Sequence, residues 1–176
     1  MKRLPIVFAA LLLALPVSSA AAESENAPSP ASSHHLQLHL GVFDLHRTNR
    51  GTQFGAEYHA TPRWTYLDLR PFGGVLRTRK QSHFVYAGLM RESRFTAAKT
   101  GFYLRIELAV GYYRHGGRSD TDLGAPVQFR TGAGLSYQFQ DATRVGLSFL
   151  HMSNASMSRT NPGTEMISLT YGIPLP

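Results

Sequence analysis

The stretch FYLRIELAVGY at residues 102–112 carries the clearest pattern in this 176-residue chain. Its even-numbered positions are all apolar or aromatic, whereas its odd-numbered positions include Arg105 and Glu107. Successive side chains of a β-strand point to opposite faces of the sheet. The alternation therefore predicts a strand with one apolar face and one mixed face.

The same alternation recurs in seven further segments, of which the one at 83–90 is the weakest. The segments lie at 34–42, 53–59, 67–70, 83–90, 127–139, 144–149 and 167–173. Eight such strands, each with an opposing face rich in Gly, Ser, Gln, Arg and Glu, are typical of a small transmembrane β-barrel. A soluble β-sandwich or lipocalin alternates in the same way, so the period alone does not separate these classes.

Two further features favour the membrane barrel. Charged residues within the strands could pair in a filled barrel interior: Glu57, Asp68, Arg70, Arg105, Glu107 and Arg130. Aromatic residues near strand ends suit interfacial girdles: Trp64, Tyr66, Tyr112, Tyr113, Tyr137 and Phe139. We therefore predict an all-β, eight-stranded antiparallel transmembrane barrel with short periplasmic turns and longer extracellular loops.

The N-terminus has the three parts of a secretory signal peptide. A basic start at 1–3 precedes an apolar run at 4–17 and small residues at 18–22. The apolar run is shorter than the roughly 20 residues that a spanning helix needs. We predict a signal peptide at 1–22, a flexible segment at 23–33 and the barrel at 34–176, in the outer membrane of a Gram-negative cell.

Composition excludes several functions. The chain has no Cys, which rules out a disulfide scaffold, thiolate metal sites and Cys nucleophiles. Its net charge of +7 would suit nucleic acid, but an exported protein does not meet that partner. His39 and His59 could be neighbours on the inward face, yet without further ligands a packed polar interior is favoured, and we predict no metal site.

The last hairpin breaks the apolar pattern on the lipid-facing side. The parity of the seventh segment continues into His151 and Ser153, and that of the eighth runs back to Glu165. Polar groups on a lipid-facing surface are costly. A hairpin that pairs His151 with Glu165 puts all three residues on one face and leaves 154–162 as the loop.

These residue types at these positions suit ester hydrolysis. Residues two apart on a strand face lie about 7 Å from each other, and cross-strand neighbours about 5 Å. Ser153 would be the nucleophile, His151 the base and Glu165 the acid that orients it. Asn154 and Asn161 are candidates for the oxyanion hole.

The motif His151-Met152-Ser153-Asn154, followed by Asn161 and Glu165, resembles the PagL family of outer-membrane lipid A 3-O-deacylases. The resemblance implies an eight-stranded barrel with a Ser-His-Glu triad on its exterior, no cofactor, and hydrolysis of the ester at the 3 position of lipid A. One departure is the C-terminus, which ends in residues 173–176 (IPLP) without the aromatic residue common in such barrels.

Basic residues are concentrated in the predicted outer loops, where they would face phosphorylated lipopolysaccharide. We expect Arg77, Arg79, Lys80 and Arg159 to hold the head group of the substrate. Scattered, solvated loop charges are the alternative. A non-catalytic barrel with a structural or adhesive role and an outer-membrane phospholipase remain open as functions, as do a homodimer and the acyl chain released.

Overall fold

The computed structural model describes residues 34–47, 50–61, 68–95, 100–117 and 120–175. The predicted signal peptide, the flexible segment at 23–33 and the girdle residues Trp64 and Tyr66 lie outside these ranges. The described ranges contain no helix long and apolar enough to cross a membrane.

Eight antiparallel strands form one closed barrel in chain order, with β1 paired to β8. The strands are β1 (His34–Phe43), β2 (Gly51–His59), β3 (Leu69–Thr78), β4 (His83–Arg94), β5 (Gly101–Arg114), β6 (Val127–Gln138), β7 (Arg144–Ser153) and β8 (Thr164–Leu175). The predicted fold is confirmed. The C-terminal stretch takes part in closure, because Pro174 pairs with His35 and Leu175 with His34.

The outside of the barrel is apolar and exposed, as the alternation predicts. Along β5 the exposed side chains include Phe102, Leu108, Val110 and Tyr112, whereas Tyr103, Arg105, Glu107 and Ala109 are buried inside. A belt of this kind on every strand is far larger than the apolar patches that soluble proteins expose. It is typical of a surface in contact with lipid.

The barrel interior is a network of buried ion pairs. Glu57 accepts from Arg130 at 2.5 Å and from Arg105 at 3.3 Å, and Glu107 contacts the same two arginines. A second cluster is centred on Glu92, which binds Arg70 at 2.7 Å and Arg144 at 2.8 Å. Buried charges are tolerated when they are paired and hydrogen-bonded. The predicted pairing is therefore confirmed for Glu57, Arg70, Arg105, Glu107 and Arg130, whereas Asp68 precedes β3 and is half-buried.

The third strand begins and ends later than predicted. Its alternation at 67–70 is short, but β3 runs from Leu69 to Thr78 with Phe72 and Leu76 inside. Most of this strand was not predicted because it contains Pro71 and the pair Gly73-Gly74, and Pro and Gly normally weaken strands. A Cβ at Gly74 would lie only 2.6 Å from the Ala56 carbonyl oxygen, so the glycine permits a close approach of β2.

Tyr113 does not join the predicted girdle. It alternates with the outward-facing Tyr112 and therefore points inward, where its hydroxyl donates to the Thr121 carbonyl at 2.8 Å and lies 3.0 Å from the Ser82 hydroxyl. At the other end of the barrel, Tyr137 makes edge contacts with Phe102 and Phe139 at 5.1 and 5.2 Å between ring centroids.

The connections β1–β2, β3–β4, β5–β6 and β7–β8 begin and end at the same end of the barrel, which we call the outer end. The N-terminal start of β1 and the C-terminal end of β8 lie at the opposite end. In outer-membrane barrels the longer loops are extracellular. Arg77, which the sequence pattern placed in a loop, belongs to β3 and pairs with His83.

Candidate active site

His151 and Glu165 form a cross-strand pair at the outer end of the β7–β8 hairpin, in the predicted register. The imidazole Nδ1 lies 3.3 Å from the carboxylate Oε1, and both side chains are partly exposed. They continue the outward-facing columns that contain Phe149 on β7 and Ile167 on β8. The His151–Glu165 pair therefore lies at the border of the apolar belt that is nearest the outer end.

Ser153 is the last residue of β7 and shares the outward face of His151. It pairs with Phe129 on β6 and is half-buried. No hydrogen bond joins Ser153 to His151 among the described residues, so a side-chain rotation must close this contact. Catalytic hydrogen bonds are often long in ligand-free sites and tighten only with substrate bound.

Gly163 lies against the imidazole and was not identified from the sequence. A Cβ at this position would be 3.0 Å from Cε1 and 3.5 Å from Nε2 of His151, and the backbone φ is +62°. Both the conformation and the space favour glycine. A Pro-Gly dipeptide such as Pro162-Gly163 marks a turn, but it does not indicate contact with His151.

The two asparagines differ in what their amides can do. Asn154 is fully buried, and its Nδ2 donates to the carbonyl oxygens of Thr160 at 2.7 Å and Leu123 at 3.0 Å. Both of its amide hydrogens are therefore engaged in holding loops together. Asn161 is exposed, and its Oδ1 accepts from the Asn154 backbone N–H at 3.1 Å while its Nδ2 lies 3.4 Å from the Ser156 hydroxyl.

The β1–β2 connection holds the segment 162–165 that carries Gly163 and Glu165. Arg47 donates to the Pro162 carbonyl, and the Leu45 N–H donates to the Glu165 carbonyl at 3.0 Å. The Thr164 hydroxyl donates to the buried Asp44 at 3.2 Å. Sequence reasoning missed these contacts because they join residues more than 110 positions apart.

The carboxylate of Asp44 also connects this site to the β5–β6 connection. Its second oxygen accepts from the Thr121 hydroxyl, and its backbone adopts φ +61°, a value that non-glycine residues rarely show. The four contacts from Asp44, Leu45 and Arg47 form what we call the β1–β2 clamp. They leave the segment 162–165 little freedom to move relative to β1.

The predicted head-group residues separate into two places. Arg159 is exposed in the 154–163 connection, which joins the two strands that carry the triad. Arg77, Arg79 and Lys80 lie at the β3–β4 hairpin, four strands from β7 in either direction around the ring. Eight strands about 4.8 Å apart and tilted by roughly 40° enclose a cylinder about 16 Å across. The barrel wall therefore separates these three residues from a lipid at His151, which corrects their predicted role.

The inward histidines belong to the polar interior. His39 and His59 both contact Glu57 Oε2, at 3.1 and 2.9 Å, and Arg105 lies beside them. Within the described ranges, no group of three or more His, Cys, Asp or Glu residues is arranged to hold a metal ion.

Comparison with known proteins gives one family. A family model described as lipid A 3-O-deacylase (PagL) matches residues 35–174. The lipid A deacylase PagL of Bordetella bronchiseptica is 26% identical over 150 residues, covering 77% of this chain and 80% of that protein. The lipid A deacylase PagL of Pseudomonas aeruginosa is 33% identical over 72 residues, which cover 40% of this chain and 42% of that protein.

Two solved structures share the fold. The crystal structure of the outer-membrane enzyme PagL superposes with a TM-score of 0.68 at 18% identity, over 80% of this chain and 99% of that one. Neisserial surface protein A superposes with a TM-score of 0.52 at 13% identity, over 81% of this chain and 96% of that one.

Proposed function

The chain belongs to the PagL family of lipid A 3-O-deacylases, and we propose that it removes the 3-position acyl chain of lipid A with Ser153, His151 and Glu165 as its catalytic residues. The family and the barrel place it in the outer membrane. The observation that carries the proposal is the His151–Glu165 contact of 3.3 Å on the outward face, with Ser153 beside it. A lipid reaches such a site by lateral diffusion, so no opening in the barrel wall is needed.

The geometry supports a distinct task for each residue. Glu165 faces Nδ1 of His151, which leaves Nε2 as the nitrogen for Ser153. Nε2 takes the Ser153 proton while Oγ attacks the ester carbonyl, and Glu165 stabilises the resulting imidazolium. Nε2 then gives the proton to the sugar oxygen as the bond to the acyl group breaks.

The second half of the reaction returns the enzyme to its starting state. Water gives a proton to His151 Nε2 and attacks the acyl-Ser153 ester, after which the fatty acid leaves and Ser153 regains its proton. The oxyanion of each tetrahedral intermediate needs N–H donors. We assign this role to the exposed Asn161 amide and to loop backbone N–H groups, because the Asn154 amide hydrogens are already engaged. Arg159 is the proposed contact for a head-group phosphate.

Mass spectrometry of lipid A from cells expressing each variant tests the proposal. We expect Ser153→Ala and His151→Ala each to abolish 3-position deacylation, and Glu165→Ala to cost less. The double variant Ser153→Ala/His151→Ala should be hardly worse than either single variant, because residues acting in one step are not additive. Ser158→Ala, in the same connection, is the matched control and should leave the rate unchanged.

Three outcomes would contradict the proposal. Undiminished loss of the 3-position chain in Ser153→Ala excludes this nucleophile. Lyso-phospholipids in place of 3-deacylated lipid A would show a phospholipase. Unchanged lipids in cells with the wild-type protein would leave a non-catalytic barrel. Heat-modifiable gel migration confirms that each variant is folded.

A further inference from the structure

A row of basic side chains crosses three strands on the side of the barrel opposite the triad. Arg77 on β3 pairs with His83 on β4, and His83 pairs with Arg114 on β5. All three side chains are exposed and share the outward face at the outer end. Neighbouring strands are about 4.8 Å apart, so this basic row is about 10 Å wide.

An apolar row lies directly below the basic row, toward the membrane centre. Val75, Val85 and Tyr112 pair across the same three strands and are 52%, 58% and 61% exposed. The basic row therefore marks the border between the lipid-facing belt and the outer loops. Cationic and aromatic side chains at this border lie at the level of lipid head groups.

Carboxylates near the basic row are engaged elsewhere. Asp120 is buried and accepts from the Thr78 hydroxyl at 2.6 Å. Burial by itself raises the pKa of this carboxyl, but hydrogen bonds from Ser82 and Thr78 outweigh burial and hold the pKa below its usual value. Asp122 accepts from the Gly124 N–H at 2.8 Å. Among the described residues, no ion pair involves any member of the basic row.

Neighbouring residues add to the positive charge. Arg79 is exposed in the β3–β4 connection and is followed by Lys80. The arginine guanidinium binds phosphate oxygens in a bidentate manner and suits phosphate recognition better than a point charge does. This surface has phosphate-binding groups toward the outer end and apolar groups toward the membrane centre. It therefore matches a phosphorylated lipid whose phosphates bind the basic row and whose acyl chains lie along the apolar belt.

We propose that the basic row binds the phosphates of a second lipopolysaccharide molecule in the outer leaflet, at a non-catalytic site. The proposal goes beyond the deacylase activity and does not depend on Ser153. The occupant is a phosphorylated glycolipid, since the outer leaflet that surrounds this rim presents phosphorylated lipid A. Lipid bound at the centre of this row lies on the far side of the barrel from the triad, because β4 is three strands from His151 on β7 and four strands from Glu165 on β8.

Native mass spectrometry of the full-length barrel in detergent, titrated with bis-phosphorylated lipid A, tests the proposal. The Ser153→Ala background limits turnover and should bind two lipid A molecules. Adding Arg77→Gln and Arg114→Gln should leave one molecule bound tightly and weaken the second about 25-fold, since each cation near an anionic surface contributes roughly a factor of five. Lipid A without phosphates should bind only at the triad side.

Matched controls distinguish an effect of the basic row from an effect of the total positive charge of the protein. Arg50→Gln with Arg91→Gln removes the same two charges outside the row, and should retain two bound molecules. The pair Arg77→Gln/Arg114→Gln with Ser153 intact should keep the wild-type initial rate of deacylation. Heat-modifiable migration shows that the variants are folded.

Several results would overturn the second site. Equal affinity of the Arg77→Gln/Arg114→Gln variant and its parent excludes the row. Equal binding of dephosphorylated lipid A excludes phosphate recognition, and full competition by millimolar inorganic phosphate would show an anion site without lipid. A failure of Ser153→Ala to stop deacylation contradicts the proposed function but leaves the count of bound lipids readable.

Discussion

At the residue scale, the candidate site depends on a glycine, because a side chain at position 163 would press on His151. The imidazole of His151 packs on the bare backbone of Gly163, while its Nδ1 contacts Glu165. A Cβ at 163 would press on Cε1 at 3.0 Å and would lie at contact distance from Nε2. Gly163 is therefore a positioning residue, which acts through the orientation of His151.

We predict that Gly163→Ala lowers kcat by about three- to tenfold in a barrel that still folds. The added Cβ pushes the imidazole away by a few tenths of an ångström, and a misplacement of about 1 Å can cost roughly 100-fold. The backbone at φ +62° adds a strain of about 1 kcal/mol. Steady-state kinetics on refolded enzyme, with gel migration as the folding check, measures both effects.

Gly117→Ala is the control for backbone strain. Gly117 also has a positive φ, of +136°, but a Cβ there would meet nothing within 4 Å. We expect its activity to stay at the wild-type level. An equal loss in both variants would mean that strain at the outer end, and not contact with the imidazole, causes the effect.

At the element scale, the β1–β2 clamp orients the end of β8. Asp44, Leu45 and Arg47 contact residues on both sides of Gly163, and the Thr164 hydroxyl is the contact next to Glu165. A similar threonine–aspartate contact lies on the opposite side of the outer end. There the Thr78 hydroxyl donates to the buried Asp120, as the Thr164 hydroxyl donates to Asp44. Both threonines are buried, so the two contacts can be compared directly.

We predict that Thr164→Val lowers kcat about three- to tenfold with little change in KM, because it loosens the acid that orients His151 without touching the substrate. Thr164→Ser keeps the hydroxyl and should restore kcat. Thr78→Val should not change kcat. The effect of Thr164→Val should also vanish in a Glu165→Ala background; additive losses there, or an equal loss in Thr78→Val, would contradict the role of the clamp.

At the scale of the whole molecule, stability depends on a filled and charged interior. Glu57 is fully buried among Arg105, Arg130, His39 and His59. Removal of one member of such a network leaves the remaining charges uncompensated. The barrel therefore resists unfolding through groups that face away from both the lipid and the site.

We predict that Glu57→Gln lowers the free energy of unfolding by about 3 to 5 kcal/mol, because Arg105 and Arg130 must then share Glu107 and one buried positive charge loses its counter-charge. The midpoint of urea unfolding, followed by gel migration in lipid vesicles, measures the loss. Glu165→Gln changes the same group on a partly exposed residue and should cost no more than about 1 kcal/mol. If Glu57→Gln and the wild type unfolded at the same urea concentration, the interior ion pairs would not contribute to stability and would only favour one packing of the interior.

The sequence by itself determined the faces of most strands, their number and the core of the candidate site. Alternation is a local property, since adjacent side chains on a strand point to opposite sides whatever the rest of the chain does. His151, Ser153 and Glu165 lie within one hairpin, so parity and loop length were enough to predict the register that pairs 151 with 165. Where the local signal was weak, as around Pro71 and Gly74 in β3, the strand bounds were wrong.

Only the tertiary structure decided which distant groups surround that hairpin. Closure of β8 on β1 brings Asp44, Leu45 and Arg47 to the site, and the order of eight strands places Arg77 on the opposite side of the barrel. The inward turn of Asn154 toward Leu123 likewise depends on the β5–β6 connection. Contacts between residues more than 30 positions apart leave no period in the sequence, because angular position around a barrel exists only once the ring is closed.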